Sequence, residues 1–517
     1  MARDFVSCER GQMWLMPPSV TEWLPSDHLV WTVLGAVDQM DLDRFCEGYR
    51  LGGAGRPAYD PRMLVALLIY AYARGSRSSR QIERSCWEDV AYKVTCAMRT
   101  PDHSTIAEFR RRHESDIKEL FDDVLGLCQE AGLVSVGVIA IDGTKIKANA
   151  SMDQNRTYQG IVDEILREAE ETDRREDELY GEDRRGDELP EQLRTPEGRK
   201  AALEEAKRRL AERKQRAPQS EGEGRDPGAA GAEMEMAPDR FVTHHGGRRN
   251  WFREARRELE RRREREGRPI AREREERLLD AARRLEEDHQ VHLDTNEQYE
   301  RYRRRGVDKT GRRFGSPPKR YQPPELPEGK INLSDPDSRV MRTQGTPPRQ
   351  AYNAQTAVNE RQIILAAEVT VDAADFGHLQ PMFETTLQQL ARHGVEELPE
   401  AVVADAGYWH TTQMQNITGR GVEVLIPPDG TMREGNRPGW ENGLYAQMRE
   451  RLSTERGKEL YRRRKITIEP IYGQIKYNRR INQFMRRGRA AAQLELKLVA
   501  ATHNLLKLHS HWITSTA

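Results

Sequence analysis

The first 133 residues place apolar positions at helical spacing, in short runs that polar turns separate. One predicted helix runs from Leu64 to Ala71. Asp60-Pro61 before it offers a capping side chain and a proline at the first helical position, where no N–H is needed. Further short helices are predicted near Ser78, Trp87 and Thr105. We predict an all-α N-terminal domain over residues 1–133, which suits a helix-turn-helix-like DNA binder and equally a dimerisation domain.

Residues 134–153 and 331–517 show a different pattern, in which apolar runs of strand length alternate with helical segments. The predicted strands cover residues 136–141, 351–358, 363–371, 402–405 and 422–426. A three-residue connection at Asn359-Glu360-Arg361 predicts an antiparallel hairpin. Helices are predicted over residues 378–393, 411–419 and most of 460–509, with a break at Gly488, whereas residues 429–450 have a loop-rich pattern. The pattern predicts an α/β core with a mixed sheet and flanking helices.

Charged residues dominate the segment between these two parts, residues 154–330. Glu164 to Arg216 and Arg248 to His292 are rich in Glu, Arg and Ala, with Leu at intervals, as in exposed helices or a helical hairpin. Residues 219–238 are rich in Gly, Glu and Pro and are predicted to be disordered. We predict a charged helical insertion and interpret it either as a solvated arm or as a clamp for a partner or DNA.

Composition limits the class of protein. The 84 basic and 84 acidic residues cancel in formal charge, but acids concentrate between Glu164 and Glu204 and bases near the C-terminus. The 5 cysteines show no CxxC spacing, which argues against a zinc site or a disulfide framework. The N-terminus has no signal-peptide pattern, and the longest apolar run, Leu64 to Ala73, is too short to cross a membrane. We therefore expect a cytoplasmic protein without a membrane partner.

Two apolar strands each end in an acid that a glycine follows closely. Asp142 ends the run Val136 to Ile141, and Asp405 ends the run Ala401 to Ala404. A third acid, Glu469, is the only one between Arg462 and Arg489, a stretch with ten basic residues. Turn formation and salt bridging are the simple interpretations of such acids. Because a carboxylate at a buried strand end is poorly solvated, the alternative is a divalent metal beside a bound polyanion.

The segments around these acids resemble the DDE transposases of bacterial insertion sequences. The resemblance rests on IDGTKIKANAS, DAGY and EPIYGQIK, and on two further stretches, Pro101 to His113 and Asn332 to Val358. It implies that Asp142, Asp405 and Glu469 form a catalytic and metal-binding triad in an RNase H-like core. It also implies two Mg²⁺ (or Mn²⁺) ions, double-stranded DNA at element ends and target as partner, a homodimer or higher oligomer, and a nucleoid-associated bacterial protein.

The third motif departs from the family pattern, which places a Tyr and an Arg before the Glu and a Lys seven residues after it. Lys476 matches, but Tyr461 and Arg464 lie one residue early, and Arg462 and Lys465 occupy the expected positions. The basic residues predicted to contact DNA are Arg464, Lys465, Lys476, Arg479, Arg480, Arg486 and Arg487. Two other functions stay open: an RNase H-like nuclease without strand transfer, and a non-catalytic DNA-binding protein derived from a transposase.

Overall fold

The computed structural model describes residues 19–47, 49, 58–180, 247–267, 270–308, 311–316, 318–342, 345–428 and 442–516. The predicted disorder of residues 219–238 and the part of the first insertion helix beyond residue 180 lie outside these ranges. No helix in the described ranges is long and apolar enough to cross a membrane.

A six-stranded mixed sheet forms the centre of the molecule. Its strands are β1 (Val138–Lys147), β4 (Arg339–Met341), β5 (Arg349–Asn359), β6 (Ile364–Thr370), β7 (Ala401–Ala404) and β8 (Glu423–Leu425). β1 lies between β5, which runs antiparallel to it, and β7, which runs parallel. β8 continues the parallel side, and β6 and β4 pair with β5. A separate two-stranded sheet joins β2 (Asn155–Arg156) to β3 (Ile331–Asn332).

The predicted hairpin between β5 and β6 is confirmed, and the side chain of Asn359 holds its turn. Asn359 Oδ1 accepts hydrogen bonds from the backbone N–H groups of Arg361 at 3.1 Å and Ile363 at 2.9 Å. Gln362 adopts a positive φ of 61° between them. Asparagine suits such turns because its side chain can satisfy nearby backbone donors.

Helices surround the sheet and account for most of the rest of the described chain. They are α1 (Leu29–Gln39), α2 (Asp43–Cys46), α3 (Pro61–Ala73), α4 (Ser79–Glu88), α5 (Val90–Thr95), α6 (His103–Arg112), α7 (Glu114–Glu130), α8 (Tyr158–Tyr180), α9 (Arg248–Glu266), α10 (Arg274–Arg305), α11 (Leu379–Arg392), α12 (Thr411–Thr418), α13 (Gly443–Ser453), α14 (Glu455–Gly473) and α15 (Arg489–Thr516). α11 packs on β5 and β6, α14 packs on β1 and β7, and α15 packs on β6, α3 and α7.

Several predicted boundaries are wrong. β1 continues through Asp142 to Lys147, because β5 pairs with it along that whole length. The helix predicted near Thr105 is α6, which begins at His103, since Asp102 Oδ1 caps it by accepting from Thr105 N at 2.9 Å. α13 lies where the sequence predicts a loop-rich region. The C-terminal helix is interrupted over a longer stretch than predicted: a π-helical turn, Gln474–Asn478, follows α14, and α15 begins only at Arg489.

The N-terminal helices share one hydrophobic core with the sheet. Buried polar groups reinforce this packing: Arg77 forms an ion pair with Glu495 of α15 at 2.7 Å, and both side chains are buried. Arg479 donates to the carbonyl of Tyr72 at 2.9 Å and to that of Val499 at 3.3 Å. Residue 133 therefore separates two patterns of secondary structure, and the core is continuous across it.

The described part of the insertion folds against the core. α8 and α10 bury a small apolar cluster with β3, and α9 packs on α10 around Trp251. Ion pairs tie these helices to the core: Arg284 to Asp337 at 2.5 Å, and Glu260 to Arg339 at 2.6 Å. The solvated-arm interpretation is therefore wrong for the described helices, because apolar packing and ion pairs with the core hold them in place.

Arg479 is buried, so its predicted contact with DNA is wrong. Its guanidinium lies inside because the chain turns away from the helical path at Arg480, which has a positive φ of 54°. We expect Arg479→Ala to lower the free energy of unfolding by about 2–4 kcal/mol, because it opens a cavity and leaves buried carbonyls without donors. The exposed neighbour provides the control: Arg480→Ala should change it by less than about 0.5 kcal/mol. Urea unfolding measures both, and equal effects would contradict this role of Arg479.

Candidate active site

Asp142 lies within β1, at the point where its parallel neighbour ends. The four residues before it, Val138 to Ile141, are buried and pair with β7. Asp142 and the residues after it pair with β5 and not with β7, and Lys147 also forms a bridge with Gln483. The Asp142 side chain is 14% exposed. Asp142 lies in the middle of β1 but at the edge of the parallel part of the sheet, because β7 ends one position before it.

Asp405 follows β7 directly and lies beside Asp142. The parallel register pairs Ile141 with Ala404, so the next residue on each strand is one of the two acids. Asp405 Oδ1 accepts from Gly407 N at 2.8 Å, which caps the short 3₁₀ turn Ala406–Tyr408 and fixes the carboxylate at the strand end. The structure therefore brings these two predicted site residues together.

Glu469 lies on α14, and Arg464 connects it to Asp142. Arg464 Nη2 is 3.2 Å from Asp142 Oδ2, and Arg464 Nη1 is 3.7 Å from Glu469 Oε1. The Arg464 side chain is 12% exposed, whereas that of Glu469 is 55% exposed. The Arg464 guanidinium therefore lies between the carboxylates of Asp142 and Glu469.

Comparison with known families gives two matches along the chain. Residues 18–112 match the family described as Transposase domain (DUF772), and residues 433–509 match the family described as Transposase DDE domain. These two matches support an insertion-sequence DDE transposase. No curated protein and no solved structure shows significant similarity to it. The second match includes Glu469 and Lys476 of the transposase, and neither match includes the strands that carry Asp142 and Asp405.

Negative charge accumulates around Asp142. Burial raises the pKa of its carboxyl to about 6, Asp405 and Asp375 add to the shift, and Arg464 opposes it. A raised pKa means that the folded protein does not fully compensate the ionised form. Oxygen ligands with uncompensated charge are what Mg²⁺ or Mn²⁺ prefers, so Asp142 and Asp405 fit such an ion chemically. Within the described ranges, however, no three His, Cys, Asp or Glu side chains are grouped closely enough to hold a metal.

Lys476 lies farther along β1, on the π-helical turn. Its Nζ donates to Thr144 Oγ1 and to the carbonyl of Lys145, the latter at 3.0 Å. Burial lowers the pKa of Lys476 to about 8, and Arg349 and Lys145 contribute to that shift. Because the π-helical turn follows α14, Lys476 does not lie on a regular helical face with Glu469. Its ammonium group contacts β1 instead.

The remaining predicted DNA contacts have different surroundings. Lys465, Arg480 and Arg487 are exposed, and Arg487 Nε donates to the carbonyl of Asn149 at 3.0 Å. Arg486 is half-buried and forms an ion pair with Glu114 of α7. Arg464 is directed at the acids. Of the seven, only the three exposed residues keep the simple interpretation of an open basic surface.

Two residues at this site escape prediction from the sequence. Tyr472 donates its hydroxyl to the carbonyl of Asp142 at 2.7 Å, and Asp375 lies on the loop after β6. Asp375 precedes a helix, so turn formation or capping is its expected role. Its carbonyl does accept from His378 N at 3.1 Å, but its side chain extends to the acid pair. Tyr408 and Trp409, whose position after the second acid would suit base stacking, are buried in the core.

The raised pKa of Asp142 predicts a pH-dependent gain in stability for Asp142→Asn in metal-free buffer. Because the folded-state pKa of about 6 exceeds the ordinary value of 3.8, ionisation opposes folding fully above pH 6 and not at all well below pH 4. The variant should gain up to about 3 kcal/mol at pH 8 and nothing at low pH.

Urea unfolding at a series of pH values measures this difference. The exposed control Asp38→Asn on α1 should change stability by less than about 0.5 kcal/mol throughout. A variant that is less stable than the parent at pH 8 would show that attraction to Arg464 outweighs the burial of charge.

Proposed function

We propose that this transposase is a metal-dependent enzyme that cleaves the ends of its element and joins the freed 3′-hydroxyl to target DNA. Asp142, Asp405 and Glu469 are its catalytic acids. The observation that carries the proposal is the parallel register of β1 and β7, which sets Asp142 beside Asp405. Arg464 contacts both Asp142 and Glu469, and this shared contact supports Glu469 as the third acid of the triad.

The strand order of the sheet supports an RNase H-like core. Three antiparallel strands, β6, β5 and β1, continue into two parallel strands, β7 and β8, and a later helix, α14, returns with Glu469. This arrangement places an acid on the central strand and a second acid on its parallel neighbour, as the resemblance to DDE transposases implies.

Two Mg²⁺ (or Mn²⁺) ions suit this chemistry, since paired ions activate the attacking oxygen and stabilise the leaving oxygen of a phosphodiester. The carboxylates of Asp142, Asp405 and Glu469 would hold these ions. Arg464, which lies between Asp142 and Glu469, would neutralise a non-bridging oxygen of the DNA phosphate. Lys476 holds the strand beyond Asp142 through Thr144 and Lys145 and supplies a second positive charge near the scissile phosphate.

Exposed basic residues hold the flanking DNA backbone. Lys465, Arg480 and Arg487 carry this role, since their side chains are open to solvent. The N-terminal helices, which the first family match covers, bind the element ends or join two copies of the chain. Two copies of the protein on DNA bring both ends of the element to one target.

Asp142→Asn, Asp405→Asn and Glu469→Gln should each lower single-turnover cleavage of a duplex carrying the element end by about 100-fold or more, while end affinity changes little. Cleavage should require Mg²⁺ or Mn²⁺ and stop in EDTA, and Ca²⁺ should support binding only, because its looser coordination misplaces the reacting oxygens. Lys458→Ala serves as control, because its ion pair with Glu455 lies in the first turn of α14 and both side chains are exposed. Near-normal cleavage by one of the three variants would remove that residue from the site.

A strand-transfer assay distinguishes the transposase from a nuclease of the same fold. The substrate is a duplex with a pre-cleaved end from the DNA that flanks the coding region, together with a supercoiled target plasmid. Joined product supports the proposal. Cleavage without joining supports the nuclease, and binding without either reaction supports a non-catalytic protein.

Lys476→Ala should lower single-turnover cleavage by at least about 10-fold and end affinity much less, because Lys476 acts near the scissile phosphate.

Replacing Lys465, Arg480 and Arg487 together with Gln should instead weaken binding to all sequences and reduce the salt slope by about 2–3 units, at roughly 0.9 for each phosphate that is no longer neutralised. Affinity measured against salt concentration tests this second set. Arg392→Gln, on α11 and paired with Asp122, is the control, and an unchanged slope in the triple variant would show that DNA binds elsewhere.

A further inference from the structure

The loop between β6 and α11 connects the acid pair to the insertion. Residues 371–378 carry Asp375 toward β1 and β7, while Asp372 and Phe376 face α9 of the insertion. The loop is therefore the place where a change in the insertion can reach the site.

Asp375 is held beside the acid pair by polar groups of the sheet. Its Oδ1 accepts from Asn353 Nδ2 and Gln355 Nε2, both at 2.8 Å, and its Oδ2 is 3.5 Å from Lys145 Nζ. The side chain is 15% exposed. Three donors from β5 and β1 thus fix the orientation of a carboxylate that the triad does not include.

Two glycines leave room for this carboxylate. A Cβ at Gly143, next to Asp142, would collide with Asp375 Oδ1. A Cβ at Gly407 would lie 2.9 Å from Asp405 Oδ1 and 3.5 Å from Asp375 Oδ2. Asp375 therefore approaches both strands that carry the acid pair, and its charge acts on the same space.

Arg257 of α9 holds the other side of the loop. Its Nε is 2.5 Å from Asp372 Oδ2, and its Nη2 donates to the carbonyl of Phe376 at 2.6 Å. The guanidinium of Arg253, one turn earlier, lies 5.1 Å from the centre of the Phe376 ring. These interactions bracket Asp375, so the loop conformation that presents it depends on the insertion.

We infer that Asp375 is a positioning residue of the active site, and that the insertion holds it there through Arg257. Asp375 adds negative charge beside Asp142 and Asp405, and its own carboxylate pairs with the Lys145 ammonium. The inference rests on the proposed function, since the charge serves to hold a divalent cation at the acid pair. It gives the charged insertion a role inside the catalytic reaction.

The test measures Mn²⁺ affinity directly, by the electron paramagnetic resonance signal of the free ion, in the full-length protein without DNA. Asp375→Asn and Arg257→Gln should each weaken Mn²⁺ binding by about 10-fold or more, as removal of outer partners of metal ligands does. The double variant should be no weaker than Asp375→Asn alone, because both changes act through one carboxylate. Arg257→Lys, which keeps the charge, should recover part of the affinity.

Arg261→Gln is the matched control, because this arginine lies on the same helix and pairs with Glu258 of that helix. It should bind Mn²⁺ as the parent does. Asp372→Asn tests the ion pair from the opposite side, so that a folding defect of Arg257→Gln does not decide the outcome. Circular dichroism and urea unfolding establish that each variant is folded.

Parent-like Mn²⁺ affinity in Asp375→Asn, together with weakened affinity in Asp142→Asn, overturns the inference and leaves the proposed function standing. Weakened binding in Asp375→Asn with parent-like binding in both Arg257→Gln and Asp372→Asn overturns the role of the insertion. Parent-like Mn²⁺ affinity and cleavage in Asp142→Asn overturn the proposed function itself.

Discussion

The parallel pairing of β1 with β7 is the constraint on which the site depends. It aligns Ile141 with Ala404, and the next residue on each strand is an acid. Two carboxylates at the edge of a buried sheet repel each other, and burial raises the pKa of Asp142 to about 6. Two basic residues partly neutralise the negative charge: Arg464 of α14 pairs with Asp142, and Lys145 pairs with Asp375. We propose that a divalent cation at the same place stabilises a fold that buries these acids.

Much of the core follows from local patterns. Apolar runs of strand length, a three-residue loop and an acid followed closely by glycine are enough to predict the β5–β6 hairpin and to select Asp142 and Asp405. The full length of β1 is not predictable in this way, because its second half exists only through pairing with β5. The prediction for Arg479 is wrong for a related reason: its burial depends on the Tyr72 carbonyl, distant in sequence, and on a turn at Arg480.

Asp375 shows the same limit at the site. Nothing near it in the sequence distinguishes it from a turn residue, and its backbone does form a turn. Its side chain acquires a role because Asn353, Gln355 and Lys145 converge on it. The insertion, for which composition predicts either a solvated arm or a clamp for a partner or DNA, uses its charges for specific pairs with the core. Arg257 connects the two observations, since it links an insertion helix to the loop that carries Asp375.

We propose that a divalent cation binds where β1 and β7 bring Asp142 and Asp405 together. Iron-mediated cleavage of the polypeptide tests it most directly: Fe²⁺ replaces Mg²⁺, ascorbate and peroxide generate radicals at the ion, and mass spectrometry locates the cuts in the chain. We predict cuts close to residues 142 and 405, which excess Mg²⁺ suppresses and Asp142→Asn abolishes. Cuts confined to other parts of the chain, or cuts at these positions that persist in Asp142→Asn, would contradict the account.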